Sequence, residues 1–472
     1  AQADLIVPCM ALATLPGYIP RAPPPVGLLR KGSSSVPWRK NAKQLYDLLL
    51  IENLDQQGWP GPIRCLQWLP WCVHGNGETA QKLLVGSNCG LGARNYLYIL
   101  SVSLPDEPGG GGPAEEVTNI KSINHEGPVN ALSYNPWNPS FVATATVTGD
   151  ALVFDLQAHS ADPARDGRCR PLARLRGHSV ACRSVAWSPH QEGLLLSGGA
   201  DSRLCLWDLI DPDNPPDAPM KKLLTPDAAK PLCVHDQTHG AGGVHETLFH
   251  PEHRWTFTSV GADGRLCFWD MRDHTGSAGA IKPVLAVTAH KGGALGVDFA
   301  PHAPNMLATG GRDKTVRLWD IRQPANALRV LDGHKDDVLT VKWAREPTGL
   351  LASSGADKCV LLWDPRRGGV TSMPQDRFRM PTSASAISGL KRQAVDSLLA
   401  PELVFVHAAH EAVAPAIAWG QTPEGAILAT AGSPASNYPL GQLQVWQPAE
   451  DMLDKYWQMS PGGECGVWGT VD

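Results

Sequence analysis

One spacing of histidine, aspartate and tryptophan recurs along the chain and limits the folds open to it. His178 is followed after nine residues by Trp187, after 23 residues by Asp201 and after 29 residues by Trp207. Two copies keep these spacings and a third contains one extra residue; they begin at His290, His334 and His239. A repeat of 20 to 50 residues is typical of supersecondary units that stack on one another, because one unit alone cannot bury its apolar face.

Three weaker copies complete the series. A copy at His125 continues with Tyr134, Asp150 and Phe154, and a stretched copy at His410 continues with Trp419 and Trp446. An earlier degenerate unit covers about residues 59–102, with Trp68 at the place of Trp187. The sequence therefore contains seven units.

Each unit is predicted to form four short strands. Val185–Trp187, Leu194–Ser197 and Leu204–Trp207 are short apolar or alternating runs, and a Gly-Ala-Asp-Ser turn separates the last two. A Gly-His to Trp-Asp signature in units of about 45 residues resembles the WD repeat, which forms β-propeller blades. We therefore expect an all-β, seven-bladed WD-repeat β-propeller with an N-terminal α-helix and a short C-terminal helix. A propeller is one closed domain, although 472 residues would suggest about three domains.

The repeated polar residues allow two interpretations. Histidine, serine and aspartate are the residue types of a hydrolase triad, so nucleophilic catalysis is one of them. The other is a structural hydrogen-bond network, which we favour because the set recurs in several blades and buried polar groups need partners. WD-repeat proteins contain such a structural tetrad. The predicted tetrads are His178, Ser197, Asp201 and Trp207; His290, Thr309, Asp313 and Trp319; and His334, Ser353, Asp357 and Trp363.

Composition excludes several classes of protein. A hydrophobic content of 43% supplies a large core, and a net charge of −5 disfavours a general nucleic-acid binder. No run of 18 apolar residues predicts a transmembrane helix. The 11 cysteines include no Cys-x-x-Cys pair, which favours buried thiols in a reducing compartment. Without a phosphate-binding loop or metal-ligand spacing, we expect no enzyme, cofactor or metal site.

The segments outside the blades divide the chain. Residues 1–36 are proline-rich and predict a disordered or extended arm, and residues 37–54 predict a helix that docks on the propeller. Trp38, Ala42, Leu45, Leu48 and Leu49 recur there at steps of three and four residues. The helix either only docks or also forms one wall of a partner groove. The propeller is expected over 55–447, with a long loop at 366–400, followed by a C-terminal helix and tail at 448–472.

The opening segment resembles one subfamily of WD-repeat proteins. The matching motifs are Trp38–Asn41, Leu45–Leu48, Trp59–Pro60 and Gln67–Pro70, with further matches at Ile123–Gly127, Arg174–His178 and Pro401–His407. The subfamily is the histone-binding retinoblastoma-binding family, which includes the small subunit of chromatin assembly factor one. The chain is identified as a divergent member over about residues 37–460.

The resemblance implies a groove between the N-terminal helix and the loop before the last blade, where this family holds a helix of histone H4. The matching groove positions are Leu45, Leu48, Leu49, Asp396, Glu402, Leu403, Phe405 and Val406. The apolar members would form the floor. Asp396 and Glu402 would be the candidates for an arginine clamp.

A second implied site is the top face of the propeller, where the family receives the histone H3 tail. The matching positions are Glu126, Asn130, Arg183, His245, Asp337 and Leu339. Most of the family's acidic residues are replaced here, so this face is expected to prefer a less basic ligand.

The function that these observations favour is a non-catalytic histone-binding or chromatin-assembly scaffold. Its implied partners are histones H3 and H4 and subunits of chromatin complexes, and its implied location is the nucleus, without direct binding to nucleic acid or membrane. The alternative is a diverged WD-repeat adaptor with other protein partners, as in ribosome assembly or as a ubiquitin-ligase substrate receptor. The 366–400 loop supports that alternative, because its arginines and lysines outnumber its acids.

Overall fold

Seven antiparallel sheets contain every strand of the described residues, and together they form the blades of a propeller. The computed structural model describes residues 27–28, 62–75, 78–105, 116–210, 231, 233–235, 238–274, 283–345, 349–367, 402–407, 410, 412–422, 425–434 and 442–446. The prediction of an all-β, seven-bladed propeller is confirmed. None of the helices in these ranges is long and apolar enough to cross a membrane.

The blades follow one another along the chain, and each begins with its innermost strand. Blade 1 contains β1 (Gly27–Leu28), β2 (Ile63–Gly75), β3 (Glu78–Ser87), β4 (Asn95–Pro105) and β5 (Glu116–His125). Blade 2 contains β6 (Val129–Tyr134), β7 (Phe141–Thr146), β8 (Asp150–Asp155) and β9 (Ala173–Arg176). Blade 3 contains β10 (Cys182–Trp187), β11 (Leu194–Gly199), β12 (Leu204–Asp208) and β13 (Cys233–His235).

The remaining blades repeat this order. Blade 4 contains β14 (Val244–Phe249), β15 (Thr256–Gly261), β16 (Arg265–Asp270) and β17 (Leu285–Thr288). Blade 5 contains β18 (Ala294–Phe299), β19 (Met306–Gly311), β20 (Thr315–Asp320) and β21 (Arg329–Asp332). Blade 6 contains β22 (Val338–Trp343), β23 (Leu351–Gly355), β24 (Val360–Trp363) and β25 (Leu403–His407). Blade 7 contains β26 (Ala416–Thr422), β27 (Gly425–Gly432) and β28 (Gln442–Trp446). Short 3-10 helices lie at Gly240–Gly242, Met271–His274 and Pro365–Arg367.

The apolar core lies between the blades. Seven clusters of buried residues each join two neighbouring blades, including one that joins the first blade to the last. The alternation of each strand supplies both of its neighbours, since successive side chains point to opposite faces of a sheet. In β12, for example, Cys205 and Trp207 pack toward blade 2, whereas Leu204 and Leu206 pack toward blade 4. Stacking of the units, rather than any single unit, therefore forms the core.

Hydrogen bonds between inner strands join each pair of neighbouring blades. Trp68 Nε1 donates to the Ala418 carbonyl at 3.1 Å and so joins blade 1 to blade 7. The bonds at the other junctions run from Tyr134 N to Gln67 Oε1, Trp187 Nε1 to Ser133 O, Thr247 N to Ser184 Oγ, Val297 N to Glu246 Oε2, Trp343 N to Asp298 Oδ2 and Trp419 Nε1 to Lys342 O. The ring is thus closed by polar contacts as well as by apolar packing.

Several expected segments lie outside the described residues. These are the helix at 37–54, nearly all of the 366–400 loop and the C-terminal segment 448–472. Within the arm expected at 1–36, Gly27 and Leu28 pair with Asn119 and Thr118 and add a short strand to blade 1.

Candidate functional site

The tetrad of blade 3 is a continuous chain of hydrogen bonds. Trp207 Nε1 donates to Ser197 Oγ at 2.9 Å, and Ser197 Oγ lies 2.8 Å from His178 Nε2. His178 Nδ1 lies 3.1 Å from Asp201 Oδ1, and a carboxylate can only accept. The neutral imidazole therefore carries its proton on Nδ1, and Nε2 accepts the proton of the serine hydroxyl. The chain joins β11, β12 and the two loops at one end of the blade.

Blades 4, 5 and 6 contain the same arrangement. The His–Asp distances are 2.9 Å for His239 and Asp263, 2.8 Å for His290 and Asp313, and 3.0 Å for His334 and Asp357. The hydroxyls of Ser259, Thr309 and Ser353 each lie 2.7 Å from the histidine Nε2 and accept from the tryptophans Trp269, Trp319 and Trp363. The blade 4 set therefore joins the three tetrads named from the sequence.

The tetrad hydroxyls have no access to a substrate. Ser197, Thr309 and Ser353 are each 0% exposed to solvent. Burial alone would raise the pKa of Asp201, but hydrogen bonds from Ser179 N and His178 lower it overall. Burial lowers the pKa of His178. The geometry therefore serves to hold loops and strands together.

Blades 2 and 7 contain shorter chains. His125 Nε2 lies 2.8 Å from Thr144 Oγ1, but its Nδ1 contacts the Gly127 carbonyl at 2.9 Å in place of a carboxylate. Asp150 instead accepts from Arg174 Nη1 at 2.6 Å, and Arg174 also pairs with Glu126. The position that the aspartate holds in the tetrads, 23 residues after the histidine, is occupied in blade 2 by Thr148. In blade 7, His410 Nε2 lies 2.9 Å from Thr430 Oγ1.

The groove residues on β25 lie on different faces of blade 6. Leu403 and Val406 pack in the cluster shared with blade 5, whereas Phe405 packs in the cluster shared with blade 7, 5.8 Å from the ring of Trp446. The pairing of β24 with β25 shifts register between Leu362 and Trp363, which breaks the simple alternation. The three side chains therefore do not form one continuous apolar floor.

The other groove residues divide into one that is described and four that are not. Glu402 Oε1 accepts from Arg329 Nη1 at 3.1 Å, and the Glu402 side chain is 14% exposed. Its carboxylate is thus neutralised by an arginine of the same chain. Leu45, Leu48, Leu49 and Asp396 lie outside the described residues.

A β-bulge recurs at one position of the inner strands. Between Cys182 and Ser184, β10 advances two residues while β11 advances one, so Arg183 is the extra residue. Five other inner strands contain the same shift, with Arg64, Asn130, His245, Leu295 and Leu339 as the extra residues. Each bulge residue lies four positions before the aromatic residue of its strand, and Pro415 holds that position in blade 7. We call these seven residues, at one end of the propeller axis, the mouth.

Four of the top-face residues predicted from the sequence belong to the mouth. Asn130 Nδ2 donates to the Cys182 carbonyl at 2.8 Å. Arg183 Nη1 donates to the Gly242 carbonyl at 2.8 Å and lies 3.5 Å from His245 Nδ1. Leu339 is half-buried.

The two acidic top-face residues lie beside arginines. Glu126 pairs with Arg174, and Asp337 Oδ2 lies 4.0 Å from Arg312 Nε. Burial raises the pKa of Asp337, and the neighbouring Asp336 raises it further. The sequence had not singled out Arg64 or Arg312, because Arg64 lies in a unit without the repeat histidine. The four-residue offset from Trp68 could have indicated Arg64.

Comparison with known proteins supplies the family. A model described as "WD domain, G-beta repeat" matches residues 169–208, 231–270, 281–320 and 325–364. A model described as "Histone-binding protein RBBP4", which also represents the corresponding component of the CAF1 complex, matches residues 36–106. This chain is a WD-repeat protein of the RBBP4-like histone-binding type.

The RBBP4-like match covers the N-terminal segment and the first three long strands of blade 1. It therefore includes the residues from which the sequence predicted the docking helix, together with Arg64 of the mouth. A solved structure described as "Crystal Structure of Mitotic Checkpoint Complex" contains a chain with a TM-score of 0.50, 16% identity, and coverage of 86% of this chain and 93% of that chain. At this identity, the likeness concerns the fold alone.

Proposed function

We propose that the protein is a non-catalytic scaffold that binds histones H3 and H4 and joins them to chromatin-complex subunits. The observation that carries the proposal is the match of residues 36–106 to the model of RBBP4 and its CAF1 counterpart. Blade 1 connects that segment to a ring of seven blades closed by contacts between the first blade and the last. Such a ring presents several separate surfaces to different partners. Nuclear residence is part of the same proposal.

The segment at 37–54 is the most direct place to test histone binding. Leu45 and Leu48 belong to its apolar stripe, and a helix bound in a groove gains most of its affinity from such contacts. The double variant Leu45→Asp/Leu48→Asp is expected to weaken binding of recombinant H3–H4 at least about tenfold, because each buried leucine contributes about 1.5–3 kcal/mol. Binding is measured by titration of labelled H3–H4, and circular dichroism checks that the β-propeller remains folded.

A matched control separates the apolar stripe from general charge effects. Lys43→Gln/Lys40→Gln lowers the charge by the same two units on the other side of the predicted helix and is expected to retain histone affinity within about twofold. Phe405 is unsuitable for this purpose, because it packs against Trp446 inside the propeller. Wild-type protein that binds no H3–H4 contradicts the proposal, and so does equal binding by both double variants.

The mouth supports a second candidate function, that of a WD-repeat adaptor with non-histone partners. Arg64, Arg183 and Arg312 lie at or beside the mouth, and a basic histone tail gains no attraction from them. Affinity purification of the full chain distinguishes the candidates: recovery of histones supports the scaffold, and recovery of other proteins without histones supports the adaptor.

A further inference from the structure

The mouth has two chemically different halves. The bulge residues of blades 1 to 4 are Arg64, Asn130, Arg183 and His245, which are all polar or basic. The corresponding residues of blades 5 to 7 are Leu295, Leu339 and Pro415, which are all apolar. Because a bulge redirects a side chain, this one position of each blade sets the chemistry of the mouth. The sequence order of the blades makes each half continuous around the ring.

Arg312 extends the basic half. Its backbone N–H donates to the Gly293 carbonyl at 3.0 Å, and the same contact in blades 3, 4 and 6 is made by Ala200, Ala262 and Ala356. A long cation thus replaces a methyl group at this position in blade 5. The Arg312 side chain is 42% exposed, and Asp337 lies beside it at 4.0 Å. Arg312 is therefore accessible to a ligand at the mouth.

His245 presents a hydrogen-bond donor. Arg183 can only donate, so the 3.5 Å contact with Nδ1 of His245 makes that nitrogen the acceptor. The neutral ring then carries its proton on Nε2, which is buried and has no partner among the described residues. Burial, reinforced by Arg183 and Arg312, lowers the pKa of His245 to about 3, so the ring is neutral at physiological pH. An unpaired buried donor costs free energy that an incoming acceptor would recover.

We propose that the mouth binds an acidic peptide in which carboxylate side chains alternate with aliphatic ones. Carboxylates accept from the arginines and from His245 Nε2, and aliphatic side chains contact Leu295, Leu339 and Pro415. The apolar half favours a peptide over a nucleic acid, whose phosphates would find no partner there. The site is independent of the proposed histone groove, which rests on residues 36–106.

The test uses fluorescence anisotropy with the full chain and short labelled peptides. A peptide of alternating glutamate and leucine is expected to bind at least about tenfold more tightly than its glutamine–leucine counterpart, because charge-assisted hydrogen bonds are roughly twice as strong as neutral ones. The advantage is expected to shrink when salt is raised from about 0.05 M to about 0.5 M, because screening weakens exposed ion pairs. A lysine–leucine peptide and a single-stranded oligonucleotide serve as competing ligands.

Variants on the two halves locate the binding. Arg64→Gln/Arg312→Gln is expected to weaken binding of the glutamate–leucine peptide about tenfold or more, and Leu339→Ser about threefold. Arg322→Gln is the control, because Arg322 is 58% exposed and pairs with Asp320 at the opposite end of blade 5. That control is expected to bind as the wild type does. The Leu45→Asp/Leu48→Asp protein is also expected to keep peptide binding, which separates this site from the histone groove.

Each remaining outcome overturns the proposal. Equal affinity for the glutamate and glutamine peptides removes the role of charge. Tighter binding of the lysine–leucine peptide assigns the mouth to a basic tail, and tighter binding of the oligonucleotide assigns it to nucleic acid. Equal losses in Arg64→Gln/Arg312→Gln and Arg322→Gln place the binding elsewhere on the propeller.

Discussion

Asp201→Ala is expected to lower the free energy of unfolding by about 3 kcal/mol, because three donors lose their acceptor and each unpaired buried group costs about 1–3 kcal/mol. These donors are the His178 ring at 3.1 Å, Ser179 N at 2.8 Å and Arg203 N at 3.2 Å. The Asp201 side chain is 6% exposed, so water replaces the carboxylate poorly. Urea denaturation measured by tryptophan fluorescence checks the loss.

Thr148→Ala is the matched control for this prediction. Thr148 holds the aspartate position in blade 2, but it is exposed, and its hydroxyl lies beside Thr146 Oγ1 rather than a histidine ring. The expected change is below about 0.5 kcal/mol, as for most surface substitutions. If Asp201→Ala unfolds at the same urea concentration as wild type, the tetrad does not stabilise the blade.

The pH dependence has a defined sign. The pKa of Asp201 is lowered in the folded protein, so its contribution is present above the unfolded pKa of about 3.9 and is lost as pH falls below it. The pKa of His178 is also lowered, so acid favours the unfolded state from about pH 6.5 downward. Wild-type stability is therefore expected to decline on acidification, and the difference from Asp201→Ala is expected to narrow below about pH 4.

The repeat made the fold predictable from the sequence, because every blade uses the same contacts. Fixed spacings of His178, Asp201 and Trp207 determine the number of strands and the position of each turn. Blade 2 was less readable, since Asp150 lies two residues beyond the tetrad position and pairs with Arg174. A sequence pattern cannot show which of two nearby acids reaches the histidine.

Side-chain direction was harder to predict than strand position. Leu403, Phe405 and Val406 lie on one predicted strand, but a register shift sends them to two different clusters. The mouth likewise depends on bulges, which leave no mark in the apolar pattern. Arg64 and Arg183 become members of one ring only because both precede a first-strand tryptophan by four residues.

Charges near the propeller axis were also brought together by the repeat. Asp298 and Lys342 each precede the first-strand aromatic of their blade, Phe299 and Trp343. Lys342 Nζ donates to Glu246 Oε1 at 2.7 Å, while Glu246 and Asp298 accept from backbone N–H groups of the next blade. Three inner strands thus share two carboxylates and one ammonium.

Lys342→Met is expected to lower the free energy of unfolding by about 3 kcal/mol at pH 7.5, because removing one partner of a largely buried pair leaves its charge uncompensated. The variant keeps the length of the side chain but leaves Glu246 and Asp298 without their cation. Lys291→Met, on an exposed loop, is the control and is expected to change the stability by less than about 0.5 kcal/mol. Equal stability of the two variants would show that the lysine charge does not stabilise the ring.

Asp298→Asn is expected to have the opposite sign. Burial, with a smaller contribution from Glu246, raises the pKa of Asp298 to about 6 although Lys342 and Trp343 N lower it. Its folded pKa exceeds the unfolded value of about 3.9, so the stability that protonation supplies is full below about pH 4 and is lost as pH rises through about 6, by about 2–3 kcal/mol. The amide oxygen of asparagine can still accept from Trp343 N. The variant is therefore expected to gain on wild type between about pH 4 and pH 7.5 in urea denaturation, and parallel pH profiles would show that Asp298 is not strained by burial.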